Sequence, residues 1–107
     1  MGSFVIASYR PKAGREAELL EILKEHVPVL RSLGLATEKA VHLMEAKDGA
    51  FVEVFEWESE EAIEKAHKNP IVLEMWKKFE ACCDYIPLND LEEAKNLFPG
   101  FEPVDFK

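Results

Sequence analysis

Residues 37–57 read TEKAVHLMEAKDGAFVEVFEW, and this stretch decides the fold. Two β-prone runs, 37–46 and 50–57, flank Lys47-Asp48-Gly49. Asp-Gly between such runs is a strong hairpin signal, because a type I′ turn needs positive φ at both central residues. A two-residue Asp48-Gly49 turn sets the register. Ala46 then faces Phe51, Met44 faces Glu53, His42 faces Phe55 and Ala40 faces Trp57, while Leu43 faces Val54. One face of the hairpin is mainly aliphatic. The other, with His42, Met44, Glu53, Phe55 and Trp57, is aromatic and partly polar. His42 and Glu53 share that face on a diagonal. A carboxyl buried there and answered by an imidazole is a candidate ligand contact, or else an interface hydrogen bond.

Upstream, Phe4 to Tyr9 (FVIASY) is an apolar, β-prone run that reads as a strand buried on both faces. After Gly14, Leu19, Leu20, Leu23, Val27, Leu30 and Leu33 recur at helical steps. Pro28 inside that pattern predicts a kink, and Gly34 a C-terminal stop. His26 falls at the kink and is assigned a structural role. Downstream, Ser59 caps a short helix with Glu60 and Glu61 in its first turn. Asn69-Pro70 starts another, which carries Val72, Met75, Trp76, Phe79, Cys82 and Cys83 on one stripe and ends at Pro87. Asn89 with Glu92 resembles a capping box for a last short helix through Phe98. Phe101 to Phe106 reads as a final strand that Pro103 confines to a sheet edge. The order β-α-β-β-α-α-α-β is a ferredoxin-like split βαβ unit, α+β with a four-stranded antiparallel sheet, in one domain spanning residues 1–107.

The chain has 107 residues, 48% hydrophobic and 32% charged, which suits one globular core. No apolar run approaches a membrane span, and the start MGSFVIASYRPK lacks a secretory pattern. The net charge is −8, all of it from Phe51 onward, where six basic residues meet fourteen acidic ones. That balance argues against nucleic acid, whose phosphates demand a basic face. Cys82 and Cys83 are adjacent and poorly placed for a mutual disulfide, so two reduced thiols and a cytoplasmic location are expected. Scattered histidines with no close ligand spacing predict no metal site.

The opening strand with Arg10-Pro11-Lys12-Ala13-Gly14-Arg15, the block Phe55-Glu56-Trp57-Glu58-Ser59-Glu60-Glu61-Ala62-Ile63, and His67, Asn69 and Pro70 beyond it resemble the antibiotic biosynthesis monooxygenase-like family of the dimeric α+β barrel superfamily. The resemblance covers roughly residues 3–84. It implies a homodimer in which two sheets form a shared barrel. The family it resembles includes cofactor-independent monooxygenases acting on aromatic or polyketide-like compounds, haem-degrading enzymes and many uncharacterised proteins. The haem-degrading pattern wants an Asn on the first strand, a Trp on the short helix and a His on the next. Ala7 and Ser8, His67, and Trp76 or Lys77 stand in those places, which argues against haem, and no cofactor is expected.

His67 is the candidate catalytic base, following the aromatic strand end where a neutral imidazole can take a proton from a phenol or enol. Phe55, Trp57, Trp76 and Tyr85 are candidate ligand-binding residues for a flat apolar compound, with His42 and Glu53 as polar contacts. Aromatics at this spacing are also ordinary core, and for Trp76 and Phe79 core is the plainer expectation. The alternative function is a non-catalytic small-molecule binding module or a purely structural homodimer. A cavity of a few hundred Å³ separates the first two readings from the third.

Overall fold

The structure is a computed structural model and describes residues 2–105. Strand β1 (Ser3–Pro11) runs antiparallel to β3 (Phe51–Trp57), from Ser3 opposite Trp57 to Tyr9 opposite Phe51. Between them in sequence lie helix α1 (Glu16–Ser32) and strand β2 (His42–Glu45). Helices α2 (Glu60–Ala66) and α3 (Pro70–Cys82) lead into β4 (Cys83–Ile86), and β5 (Glu102–Pro103) closes the order. The sheet has five antiparallel strands in the order β4-β1-β3-β2-β5, one more than the sequence predicts. It is an open sheet in a ferredoxin-like α+β domain, and a single chain forms no closed barrel. Among the described residues no helix is long and apolar enough to cross a membrane.

The helix starts follow the sequence. Ser59 Oγ accepts the Ala62 N–H at 3.1 Å, and Asn69 Oδ1 accepts those of Ile71 and Val72. Helix α1 ends in a Schellman turn: Leu35 N–H donates to Leu30 O, Gly34 N–H to Arg31 O, and Gly34 has a φ of +74°. Pro28 does not divide this helix, which runs from Glu16 to Ser32 as one element. The proline is exposed, so the carbonyl it leaves unbonded one turn back lies on the solvent side.

The hairpin differs from its expected form. Gly49 N–H donates to Ala46 O, Ala46 N–H to Ala50 O, and Gly49 takes a φ of +93°. Asp48 has no positive φ, so the turn is not type I′. Its Oδ1 instead accepts the Ala50 N–H at 2.9 Å, and the loop holds three residues. The register shifts by one: His42 pairs with Val54, Leu43 with Glu53 and Met44 with Val52. A one-residue shift turns every β2 side chain to the opposite face. His42 and Met44 therefore leave the Glu53 face, and Leu43 joins it. Strand β2 is also shorter than 37–46. Arg31 takes the carbonyls of Thr37 and Lys39 with its guanidinium, and before β2 the chain meets β3 only at the Ala36–Trp57 bridge, where Thr37 N–H donates to Glu56 O.

The end of the chain is rearranged as well. The expected helix through to Pro87 stops at Cys82, and β4 adds to the free edge of β1 with Tyr85 opposite Tyr9. In place of a last α-helix there are two 3-10 turns, Leu88–Asp90 and Glu92–Lys95. Leu91 is fully buried between them, and the Glu93 carboxylate accepts the Lys47 N–H at 2.8 Å. The final strand is the two-residue β5 at the sheet edge, with Pro103 opposite Met44. Phe106, the end of the expected strand, lies outside the described residues.

Helices α1 and α3 cover one sheet face. Leu19, Leu23, Val27 and Leu30 of α1 and Val72, Met75 and Phe79 of α3 form the main core with Tyr9, Leu43, Phe51, Phe55 and Trp57. A smaller cluster on the other face joins Ala46, Ala50 and Val52 to Leu91. The rest of that second face is uncovered, leaving Phe4 58% and Ile6 53% exposed.

Candidate functional site

The strongest chemical feature of the helix-covered face is a carboxylate in its centre. Glu53 is 1% exposed. It stands on β3 between Phe51 and Phe55, and alternation aims it at the helices. Isolation of a charge there would be costly, and two neighbours answer it. Tyr9 Oη donates to Glu53 Oε1 at 2.8 Å. His26 Nδ1 lies 2.9 Å from Oε1 and 3.1 Å from Oε2. Tyr9 comes from β1, two residues along from Ala7, which lies directly opposite Glu53. His26 comes from the buried stripe of α1, flanked by Leu23 and Val27.

Burial, followed by the Glu53 charge and hydrogen bond, pushes the Tyr9 hydroxyl well above its ordinary pKa. The tyrosine thus keeps its proton and acts as a donor. The rings are fixed by packing. Tyr9 stacks on Phe79 at 5.1 Å between centroids, and the His26 ring meets Phe79 at 5.0 Å and Phe55 at 5.5 Å in edge contacts. His26 itself is 4% exposed, and its Nε2 is buried with no protein hydrogen-bond partner. An unmatched buried polar atom costs about 1–3 kcal/mol, so it is a feature that asks for an explanation.

Tyr9 and His26 border a cavity of about 290 Å³. Val5, Ala7 and Tyr9 supply the β1 wall, and Phe55 and Trp57 the β3 wall. His26 enters from α1, Trp76, Phe79 and Glu80 from α3, and Tyr85 from β4. Its size stands at the lower end of small-molecule sites, roughly 300 Å³ and upward. No lysine or arginine lines it. Tyr85 is more than half exposed, and burial first, then Cys83 beside it, raises its hydroxyl to about 12.

Four of the aromatic candidates, Phe55, Trp57, Trp76 and Tyr85, meet in this lining, and Glu53 lies behind Tyr9 and His26. His42 is on the opposite face, exposed and paired with Val54, because of the register shift. His67 is exposed at the C-terminal end of α2, where its Nδ1 donates to Ile63 O at 2.8 Å. Its ring meets the edge of Trp76 at 5.0 Å, so it touches the back of a lining residue and not the cavity. Sequence reasoning missed Tyr9 and His26 as members of the site. The available signal was a polar residue inside each of two otherwise apolar buried patterns, His26 on its helix stripe and Glu53 on its strand.

Among the described residues no three His, Cys, Asp or Glu side chains group as metal ligands. Cys82 and Cys83 are free and buried. Desolvation, with Cys82 and Asp84 nearby, raises the Cys83 thiol to about 12, and desolvation raises Cys82 as well.

Comparison with the curated proteins and with the solved structures gives no match. The family model described as antibiotic biosynthesis monooxygenase matches residues 3–78. The matched span contains Tyr9, His26, Glu53, Phe55, Trp57 and Trp76, and ends just before Phe79 and Tyr85 complete the cavity. With the greater part of its length matched, and with the ferredoxin-like order of elements, the chain belongs to the antibiotic biosynthesis monooxygenase family.

Proposed function

We propose that this protein binds a small aromatic compound in the cavity between its helices and sheet, and oxygenates it without a bound cofactor. The observation that carries this reading is the aromatic-lined space beside the ring of His26, whose buried Nε2 has no protein partner. Glu53 orients the ring from behind, in the manner of a base held by a carboxylate. A phenol hydroxyl placed on Nε2 gives up its proton as electron density moves to O₂. With hydrogen at the para carbon, one oxygen atom enters the ring as a quinone carbonyl and the other leaves as water. His26 takes the role that the sequence assigned to His67, and Trp57, Trp76 and Tyr85 hold the ring faces.

The uncovered sheet face supports a homodimer. Phe4 and Ile6 are apolar and more than half exposed on a sheet whose other face is covered by helices. A second copy laid against it buries both faces and makes the two-sheet barrel. The free thiols fit a reducing compartment such as the cytoplasm.

Oxygen uptake with a panel of naphthols, quinols and anthrones tests the activity. His26→Asn keeps a donor to Glu53 and removes the second ring nitrogen. Its rate should fall at least about 100-fold, while His67→Ala should keep most of the rate. Equal loss in both variants would remove His26 from its role. Binding of the panel with no uptake would leave the non-catalytic binding module as the correct reading.

A further inference from the structure

The charge of the cavity wall is one-sided. Its one acidic residue is Glu80 of α3, and no lysine or arginine joins it. Glu80 is exposed, so it stands at the mouth, and among the described residues its carboxylate has no ion-pair partner. Lys12 comes near, but its ammonium donates to the Glu80 backbone carbonyl at 3.0 Å and lies outside the lining. The Glu80 charge reaches the neighbouring wall, where it adds to burial and Cys83 in raising the Tyr85 hydroxyl.

The rest of the wall is largely aromatic. Phe55 and Trp57 stand 5.2 Å apart at 55°, and Tyr9 and Tyr85 5.8 Å apart at 58°. Trp76 lies on α3 one turn before Glu80, on the same side of the helix. Rings set at such angles wall the space on several sides. The face of an indole or phenol ring is electrostatically negative and attracts a cation within about 6 Å of its centroid. The wider field has the same sign. The net charge of −8 arises from Phe51 onward, the part of the chain that supplies the β3, α3 and β4 walls.

We infer that the cavity takes a small ring compound bearing a protonated amine, with the ammonium group between the Glu80 carboxylate and the rings of Trp76 and Tyr85. The inference names the ligand class of the site proposed above, and it rests on that cavity being a ligand site. The carboxylate and the ring faces favour the same charge independently of each other. An anion finds no cation in the wall to answer it, and it meets Glu80 at the mouth. Because Glu80 is solvated, its share is small, up to about fivefold in affinity. The rings supply the larger share.

Three probes of one shape class test this: 2-naphthylmethylamine, 2-naphthylmethanol and 2-naphthoate, titrated by calorimetry into the full chain at neutral pH and low salt. Wild-type protein should bind the amine about tenfold tighter than the alcohol. The naphthoate should bind most weakly. In Glu80→Gln the ratio of amine to alcohol affinity should fall about threefold, with the affinity for the alcohol unchanged. Glu74→Gln makes the same change of charge on an exposed position of α3 outside the lining, and it should leave the ratio as it is. Equal affinity for amine and alcohol, an unchanged ratio in Glu80→Gln, or an equal fall in Glu74→Gln overturns the inference while leaving the cavity as a binding site. Failure of the wild type to bind any probe overturns the cavity reading and the inference together.

Discussion

The two faces of the sheet are built from the same strands, yet they differ in kind. On β3, Glu53 and Glu56 point to opposite sides. Glu53 is sealed under two helices and answered by Tyr9 and His26. Glu56 sits at the far edge, where it accepts from Thr37 Oγ1 at 3.0 Å and lies 3.4 Å from the exposed Lys39. On β1, Val5, Ala7 and Tyr9 line the cavity, while Phe4 and Ile6, which alternate with them, face outward. One face thus holds a polar trio inside an apolar core with one hydrogen-bonding group left over. The other is covered only in part, by Leu91 over Val52, and leaves Phe4 and Ile6 more than half exposed. The proposed chemistry belongs to the first face and the proposed assembly to the second.

The largest expected effect attacks the sealed face. His26→Ala leaves the Glu53 carboxylate buried without its main partner, and stability should fall by about 3–5 kcal/mol in urea unfolding. A change of less than about 1 kcal/mol would show that the carboxylate is not charged in the fold. The open face should behave in the opposite way. Phe4→Glu with Ile6→Glu should convert a dimer to a monomer in native mass spectrometry, with the monomer's own stability moved by no more than about 0.5 kcal/mol per site. A wild-type monomer would refute the role given to this face. Between these lies Tyr9→Phe, which removes one hydrogen bond to a charged group and should cost about 1.5–3 kcal/mol.

The smallest effect is at the β4 edge. The Cys83 thiol titrates near 12 in the fold and at about 9 as a free side chain. The unfolded chain therefore loses this proton first, and stability should decline between pH 9 and pH 12. A Cys83→Ala variant should show a shallower decline over that window in urea midpoints. At pH 8 both thiols should resist iodoacetamide until the protein is denatured, and rapid alkylation of the native protein would contradict their burial.

The elements were largely legible because local signals set them. Ser59 and Asn69 cap their helices as such residues do, and Gly34 stops α1 by taking a positive φ. The hairpin was legible in place but not in register. Asp48-Gly49 fits both a two-residue and a three-residue loop, and the Asp48 side chain decides for the longer one by bonding Ala50 N–H. That single residue moved His42 away from Glu53 and so hid the true partner. The aromatic members of the site were readable, since strand alternation and the α3 stripe point them to one space. His26 was not, because its meaning lies in a contact across 27 positions that no local pattern encodes. The end of α3 was misread for a related reason. Cys83 to Ile86 continue the apolar helical stripe, but the unpaired edge of β1 draws them into a strand.

The most direct test of the account is a crystal structure of the protein soaked with 1-naphthol. The account predicts the naphthol rings between Trp57, Trp76 and Tyr85, with the hydroxyl oxygen about 2.8 Å from His26 Nε2. Naphthol seated on the Phe4 and Ile6 face, or a cavity with its hydroxyl turned away from His26, would contradict it.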